Sequence, residues 1–279
     1  MENVSERALL IAQEISKRTA TGHYRLVLNE EREPTMTGSK IGGKPYWPAG
    51  MDYPTDERGE KMLLLMQVNC EEAGLKAPLP EQGMLQWFIS LNPERMYGCQ
   101  GNFNEDGTGC RIIYHQSIKE SATPAGTPTH DTVDDMLTPV KREVAIDAVP
   151  EETVMGVNDG HFNSLFFDIV KDITGAEHPG KAWYQYLDNN DCLHCERNLG
   201  MKRPCHQMTG YPVYTQGEIR SDLERHDVLL FQLDSQFSSI QGRGELVMWG
   251  DMGSGYIFIN HDDLAARDFS RPYYCWDCG

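Results

Sequence analysis

Three sequence elements occur in the same order in the first and second halves of this 279-residue chain. In each half a glycine–proline loop precedes an apolar run that carries one glutamine, and a glycine-led apolar run follows. The loops contain Gly43 and Gly210, and the glutamines, Gln67 and Gln232, follow them by 24 and 22 positions. This shared order and spacing predicts an internal duplication, in which two related β units pack about a pseudo-twofold axis.

Short apolar runs broken by glycine, proline and asparagine dominate both halves, which is typical of strands joined by tight turns. The two repeats span about residues 24–117 and 180–279. A connector of loop and helix, residues 118–179, joins them, and an amphipathic pattern near the N terminus predicts a further helix. We therefore predict an α+β, mainly β fold in one compact domain, residues 1–279, with helices at the periphery of the duplicated β units.

Both glutamines interrupt runs that are apolar on every side, Leu63–Val68 and Val228–Leu233, and such runs are typical of strands covered on both faces. A buried amide without partners costs about 1–3 kcal/mol, so each glutamine needs hydrogen-bond partners. Two interpretations stay open. Each glutamine fastens its own glycine–proline loop, or the two together line a symmetric ligand cleft. The loop aromatics likewise either pack in the core or present a contact surface.

The cleft interpretation places a binding site at the interface between the two halves. Its candidate residues come from both loops, both glutamines and one nearby tryptophan–aspartate pair: Gly43, Pro45, Gln67, Gly210, Pro212, Gln232, Trp249 and Asp251. No nucleophile, base and orienting acid occur together in a recognisable motif, so no catalytic residue is predicted. The segment Gly38–Pro45 matches a P-loop until its last residue, where proline replaces the Ser or Thr that binds Mg²⁺.

Cysteine spacing is the strongest chemical signal in the sequence. A C-x2-C turn holds two thiolates at the spacing that tetrahedral Zn²⁺ requires, and the chain contains two such turns. Cys205 or His206 could instead complete a local site beside the first turn. The sequence therefore suggests a structural zinc site drawn from five residues: Cys192, Cys195, Cys205, Cys275 and Cys278. The alternative is a set of reduced thiols, some of them buried as small hydrophobic groups.

The chain is strongly acidic, with 25 Lys+Arg against 42 Asp+Glu and a formal net charge of −17. This excess repels phosphate backbones and anionic lipid, so we expect neither a nucleic-acid nor a membrane partner. No signal-peptide pattern and no run of 18 apolar residues is present, which predicts a cytoplasmic location. Complementary charge favours a basic protein partner, which a chain of this kind would neutralise.

Seven ordered motifs resemble the YwqG-like family of uncharacterised bacterial proteins, a domain of unknown function. They lie at Ser39–Pro48, Leu64–Asn69, Leu79–Ile89, Gly210–Gln216, Leu229–Ser235, Trp249–Gly253 and Asp268–Cys278, and the match spans roughly residues 30–279. The resemblance implies a β-rich fold with peripheral helices and internal pseudo-duplication, and it brings no established activity. The chain departs from the family pattern at Cys192-x2-Cys195, at Cys205, and at Thr209, where the motif usually has glycine.

These observations favour a non-enzymatic binding or protein-interaction module with an acidic surface. The alternative is a hydrolase whose site lies between the two halves near Gln67, Gln232, Trp249 and Asp251. Amides and one carboxylate do not supply both the acid and the base that such chemistry requires, so binding is the leading hypothesis.

Overall fold

The computed structural model describes residues 4–99, 103–104, 108–120, 122–175 and 180–279. Within these ranges the strands are β1 (Thr21–Asn29), β2 (Lys40–Ile41), β3 (Leu63–Asn69), β4 (Met84–Ile89), β5 (Phe103–Asn104), β6 (Cys110–His115), β7 (Val144–Thr153), β8 (Gln207–Thr209), β9 (Val228–Asp234), β10 (Gln236–Phe237), β11 (Glu245–Val247), β12 (Ser254–Ile259) and β13 (Tyr273–Asp277). The α-helices there are α1 (Glu6–Thr19), α2 (Phe162–Thr174), α3 (Asn189–Asn198) and α4 (His261–Ala265).

Eleven of the described strands form one antiparallel sheet in the order β5-β13-β12-β9-β8-β1-β7-β2-β3-β4-β6, and β10 and β11 form a separate ribbon. The sheet is curled and nearly closed. Its two edge strands, β5 and β6, follow one another in the chain, so the two edges of the sheet lie near each other. The fold is therefore mainly β, as predicted.

The strand pair β1–β7 lies at the centre of the sheet. Its register is continuous over nine residue pairs, from Thr21 opposite Thr153 to Asn29 opposite Ala145. Strand β7 lies in the segment that the sequence suggested is a connector of loop and helix, and it was not predicted. On one side of the central pair follow β8, β9, β12 and β13, and on the other side follow β2, β3, β4 and β6.

The curled sheet encloses the main hydrophobic core. Trp87 of β4 and Phe231 of β9 stack with ring centroids 6.2 Å apart, although these strands are far apart in the strand order. The inner-facing core also contains Leu26, Val68, Ile146, Leu233, Ile257 and Tyr274. Apolar side chains from opposite walls of the curled sheet thus bury one another. Each Å² of apolar area removed from water stabilises the fold by about 25 cal/mol.

The helices form a second core outside the sheet. Ile11 and Ile15 of α1 pack with Phe162 and Phe166 of α2, at the helical spacing that the sequence pattern indicates. Ser5 caps α1, since its hydroxyl accepts from the Ala8 amide at 3.1 Å. Among the helices of the described residues, none is both long and apolar enough to cross a lipid bilayer.

Candidate functional site

Gln67 is completely buried on β3, and its side chain fastens the preceding loop. Its Oε1 accepts from the Tyr46 amide at 2.9 Å, and its Nε2 donates to the carbonyls of Met36 at 3.0 Å and Gly38 at 2.9 Å. Gln86 on β4 adds a further donor to Oε1 at 3.2 Å. The amide therefore has the partners that burial requires, and they come mainly from its own glycine–proline loop.

Gln232 occupies the corresponding position on β9. Its Oε1 accepts from the Val213 amide at 2.9 Å and from Gln207 Nε2 at 3.1 Å. Its Nε2 donates to the Val213 carbonyl and to Asp234 Oδ1, both at 3.0 Å. This glutamine also fastens its own loop, which is the first of the two interpretations that the sequence left open.

The two glutamines lie on the outer face of the curled sheet. Successive side chains of a strand point to opposite faces, and the neighbours Val68 and Leu233 belong to the inner core. No hydrogen bond of the described residues joins the Gln67 network to the Gln232 network. Each network joins one glutamine to its own loop, and the two networks lie on separate strands of the sheet.

The remaining residues of the predicted cleft lie in three places. Gly43 and Pro45 belong to the first loop, and Gly210 and Pro212 to the second. Trp249 is buried and stacks on Trp87 with ring centroids 6.0 Å apart. Asp251 is exposed, and its carbonyl accepts from the Gly279 amide. Of the eight residues, Gly210 is the one that lines the cavity described below.

The five candidate zinc ligands are distributed over separate parts of the fold. Cys192 and Cys195 lie on α3 in the helical core, and burial raises the pKa of Cys195 to about 12. Cys275 is buried on the outer face of β13, whereas Cys278 packs against the inner core. Cys205 is buried beside Met201, with 3.7 Å between the two sulfur atoms. In the described part of the chain, no three His, Cys, Asp or Glu residues are grouped to hold a metal ion.

A cavity of about 460 Å³ lies where β1, β8 and the start of β9 meet the loop that contains Lys76–Leu79. Its walls combine two tyrosines and two prolines with aliphatic residues, and its polar residues come from strands β1, β7 and β8, from Lys76 and from the residue before β9. The residues that bear on the chemistry of the cavity are His23, Tyr24, Pro150, Glu151, Tyr211 and Asp227.

His23 is the unusual member of this lining. Its side chain is 0% exposed, and its ring nitrogens make no hydrogen bond of ordinary geometry, although the Gln207 side chain lies close enough to raise the pKa of the imidazole. Nε2 is 4.0 Å from Glu151 Oε2, which is beyond hydrogen-bond length. Burial lowers the pKa of His23, and the negative charge of Glu151 opposes this only in part. The imidazole is therefore neutral at pH 7, with one nitrogen as a donor and the other as an acceptor.

Gln207 lies beside His23, and one atom of its side chain makes no hydrogen bond of ordinary geometry. Its Nε2 donates to the Tyr211 carbonyl at 2.8 Å and to Gln232, and the atom without such a bond is the buried Oε1. His23 and Gln207 lie side by side on the outer face of the sheet, where the His23 ring nitrogens and Gln207 Oε1 are shielded from solvent, and Gln207 is not part of the cavity lining. Buried polar groups are paired in the great majority of proteins, and the polar neighbour of the buried His23 imidazole is the Gln207 side chain.

The backbone opposite His23 is strained. Thr209 pairs with His23 across β8 and β1, and it has a φ of +60°. A β-branched residue rarely adopts this left-handed conformation, which costs about 1–2 kcal/mol, and such strain concentrates at functional sites. The next residue, Gly210, has a φ of +72°, and a Cβ there would lie 2.9 Å from His23 Cβ.

Sequence reasoning missed His23 and Gln207 as candidate site residues. One signal for Gln207 was available in the repeat, since it precedes Gly210 by three positions just as Lys40 precedes Gly43. The signal that was noticed is Thr209, which replaces the usual glycine of the motif and lines the cavity.

The family model with the description "Domain of unknown function (DUF1963)" matches residues 39–278. The match covers most of the chain, so the protein belongs to this family. A search of curated proteins found no match.

Proposed function

We propose that this family member is a non-enzymatic binding protein that takes a ligand group into the cavity beside His23. The observation that carries the proposal is the cavity itself, about 460 Å³ in volume, with apolar walls and the carboxylates of Glu151 and Asp227 among its lining residues.

The size and lining of the cavity support a ligand rather than bound water alone. A volume of about 460 Å³ falls within the range of small-molecule and side-chain pockets. Tyr24, Pro150 and Tyr211 offer apolar walls, and Glu151 and Asp227 offer polar groups. Mostly apolar walls with a few polar groups are the usual composition of a binding pocket.

The contacts of Glu151 favour binding over hydrolysis. A general base is normally oriented by a hydrogen-bonded carboxylate, but Glu151 Oε2 is too far from His23 for such a bond. Arg25 instead engages Glu151, donating from Nε at 2.9 Å and Nη2 at 2.8 Å to Oε1. His23 therefore lacks the positioned carboxylate that hydrolysis would need.

Charge supports a basic protein as the partner. The chain carries a net charge of −17, and both Glu151 and Asp227 line the cavity. Lys76, the lysine of the lining, lies 3.4 Å from Glu81. A negative protein surface attracts a cationic partner and accelerates its association at low salt.

We also propose that the two halves are duplicated β units, and that the chain belongs to a YwqG-like subgroup of its family. Equivalent hydrogen bonds support the duplication. Ser39 Oγ accepts from the Asn69 amide, and His206 Nδ1 accepts from the Asp234 amide, both at 3.0 Å. Each acceptor precedes its loop glycine by four residues, and each donor follows its glutamine by two.

The binding proposal is tested by ligand-observed NMR with a panel of cationic, neutral and anionic fragments. Gly22 lines the cavity, and a Cβ added there meets no atom within 4 Å, so Gly22→Leu adds a side chain without backbone strain. Ala265→Leu, exposed on α4, is the matched control. Fragment binding that the control retains and Gly22→Leu loses supports the proposal. Binding of no fragment, or binding indifferent to Gly22→Leu, overturns it.

A further inference from the structure

The exposed leucines of the described residues all lie on two neighbouring helices outside the sheet. Leu9 and Leu10 belong to α1 and Leu193 belongs to α3, and Leu10 is 50% exposed. Every other leucine in the described ranges is buried or half-buried. Isolated apolar residues are common on protein surfaces, but apolar residues grouped on one face mark an interaction site.

A groove of about 380 Å³ lies between α1 and α3 beside these leucines. Leu9, Ala12, Gln13 and Ser16 line it from α1, and His194 is among the residues that line it from α3. No Asp, Glu, Lys or Arg is part of this lining, although 24% of the chain is charged. Burying the groove therefore takes no carboxylate, ammonium or guanidinium group out of water.

The two helices are fastened to each other, so this face is preformed. Ser5, at the start of α1, donates from its hydroxyl to Asp191 Oδ2 at 2.6 Å and from its amide to Oδ1 at 2.8 Å. Below the groove, Ile11 of α1 and Cys195 of α3 belong to the same core. A preformed face loses little conformational entropy when it binds a partner.

The outermost residues of α1 form a stripe along the helix. Glu6, Leu10, Gln13 and Lys17 follow one another at intervals of four, three and four residues, and all four are exposed. This spacing places them on one side of the helix, opposite the buried Ala8. The stripe therefore begins with an acidic residue, ends with a basic one and has a leucine between them.

We propose that this face joins two copies of the chain in a symmetric dimer, with α1 antiparallel to α1 of the second copy. The antiparallel arrangement brings Glu6 opposite Lys17 of the second copy, and twofold symmetry forms this ion pair twice. The same register packs Leu10 against Leu10 and Gln13 of the second copy. Within its own chain Lys17 lies 3.4 Å from Glu14, and an exposed pair of this kind is weak enough to exchange.

Charge is the reason for choosing a second copy as the occupant. Each copy carries a net charge of −17, so two copies repel one another over most of their surface. Helix α1 is an exception, because it has three basic residues and two acidic ones. A face with an apolar centre and opposite charges at its two ends is complementary to itself when it is turned around, so the copies can meet there.

The dimer is independent of the ligand-binding proposal, because no residue of α1 or α3 is part of the lining described for the cavity beside His23. Loss of the dimer therefore leaves the binding proposal standing, and failure of the NMR fragment panel leaves the dimer standing.

The first test is sedimentation velocity of the full chain over a range of concentrations. Two short helices provide a small interface, so we expect a dissociation constant of about 1–100 μM. A chain that remains monomeric up to about 100 μM overturns the inference and leaves this face to a different protein.

Leu10→Asp tests whether the dimer uses this face. The variant places a carboxylate at the centre of the interface, and we expect it to raise the dissociation constant at least about tenfold. Ile240→Asp makes the same kind of change at an exposed residue after β10 and is expected to leave the dissociation constant unchanged. A dimer that Leu10→Asp does not weaken overturns the assigned face.

Charge reversal tests the antiparallel register and gives a second route should Leu10→Asp fail to fold. Glu6→Lys and Lys17→Glu each bring like charges together twice per dimer, so we expect each to raise the dissociation constant about fivefold or more. The variant with both changes restores opposite charges and is expected to dimerise within about twofold of wild type. Such rescue requires contact between copies, since eleven residues of helix separate Glu6 from Lys17 by about 16 Å. Single variants as tight as wild type, or a double variant no tighter than the single ones, overturn the proposal.

Discussion

Replacing Gln67 by methionine tests whether one buried amide holds the first loop. Methionine has a similar volume but no hydrogen-bonding amide, so the Tyr46 amide and the carbonyls of Met36 and Gly38 each lose a partner. Each group costs about 1–2 kcal/mol when it is left unsatisfied, with the higher values for full burial. We expect Gln67→Met to lower the free energy of unfolding by about 2–5 kcal/mol, out of a total of about 5–15 kcal/mol.

The measurement is equilibrium unfolding in urea, followed by tryptophan fluorescence and by circular dichroism. Gln82→Met is the matched control, since Gln82 is exposed and the same atoms are replaced. We expect this control to change the free energy by less than about 0.5 kcal/mol. A loss in Gln67→Met no larger than that of the control, with coincident transitions and an unchanged m-value, would refute the view that this amide fastens the loop.

Three further predictions follow from individual residues. Thr209→Asn relieves the left-handed strain and is expected to raise stability by up to about 1 kcal/mol in thermal unfolding; a lower midpoint contradicts the strain. Burial lowers the pKa of His115 from 6.5 to about 4, so the unfolded state takes up its proton first, and stability falls as the pH drops from 6.5 to 4. Wild type should lose about 3 kcal/mol more than His115→Gln over that range, and parallel pH curves would contradict this. Because the five candidate cysteines lie in separate parts of the fold, we expect elemental analysis to find well under one zinc per chain; about one zinc per chain, reduced by Cys192→Ser with Cys195→Ser, would support the zinc hypothesis instead.

The sequence alone predicted the parts of the fold that local patterns encode. The apolar runs around Gln67 and Gln232 indicated covered strands, and the helical spacing of Ile11 and Ile15 indicated α1. Burial of an amide required partners, and the loop interpretation supplied them. In each case the deciding interaction lies within about 30 residues along the chain, so its pattern is visible without the tertiary structure.

Strand β7 could not be predicted in this way, because its sequence argues against a strand. Pro150 lacks an amide donor, and proline in a central strand is normally excluded. The structure accommodates it because β2 pairs with β7 only at Val144 and Ala145, so the second edge of β7 has no strand partner at Pro150 among the described strands. Its pairing with Tyr24 depends on a residue more than a hundred positions away.

The cavity was missed for a similar reason. His23 and Gln207 come from strands that are far apart in the chain, and each is an ordinary polar residue in its own sequence context. What makes them notable is that the His23 ring nitrogens and Gln207 Oε1 make no hydrogen bond of ordinary geometry after folding, and that depends on the packing of β1, β7 and β8 together.

The strand pairing has a consequence for the synthesis of this protein on the ribosome. Strand β1 is made near the start of the chain, but its central partner begins at Val144, and edge strand β5 pairs with β13 at the very end. At about 5–20 residues per second, β1 waits roughly 10 s for β7, and the sheet edge waits longer still. Until β13 has left the ribosome, the unpaired strand edges can pair with other nascent chains. We therefore expect the yield of folded protein in cells to depend on chaperones that cover these edges.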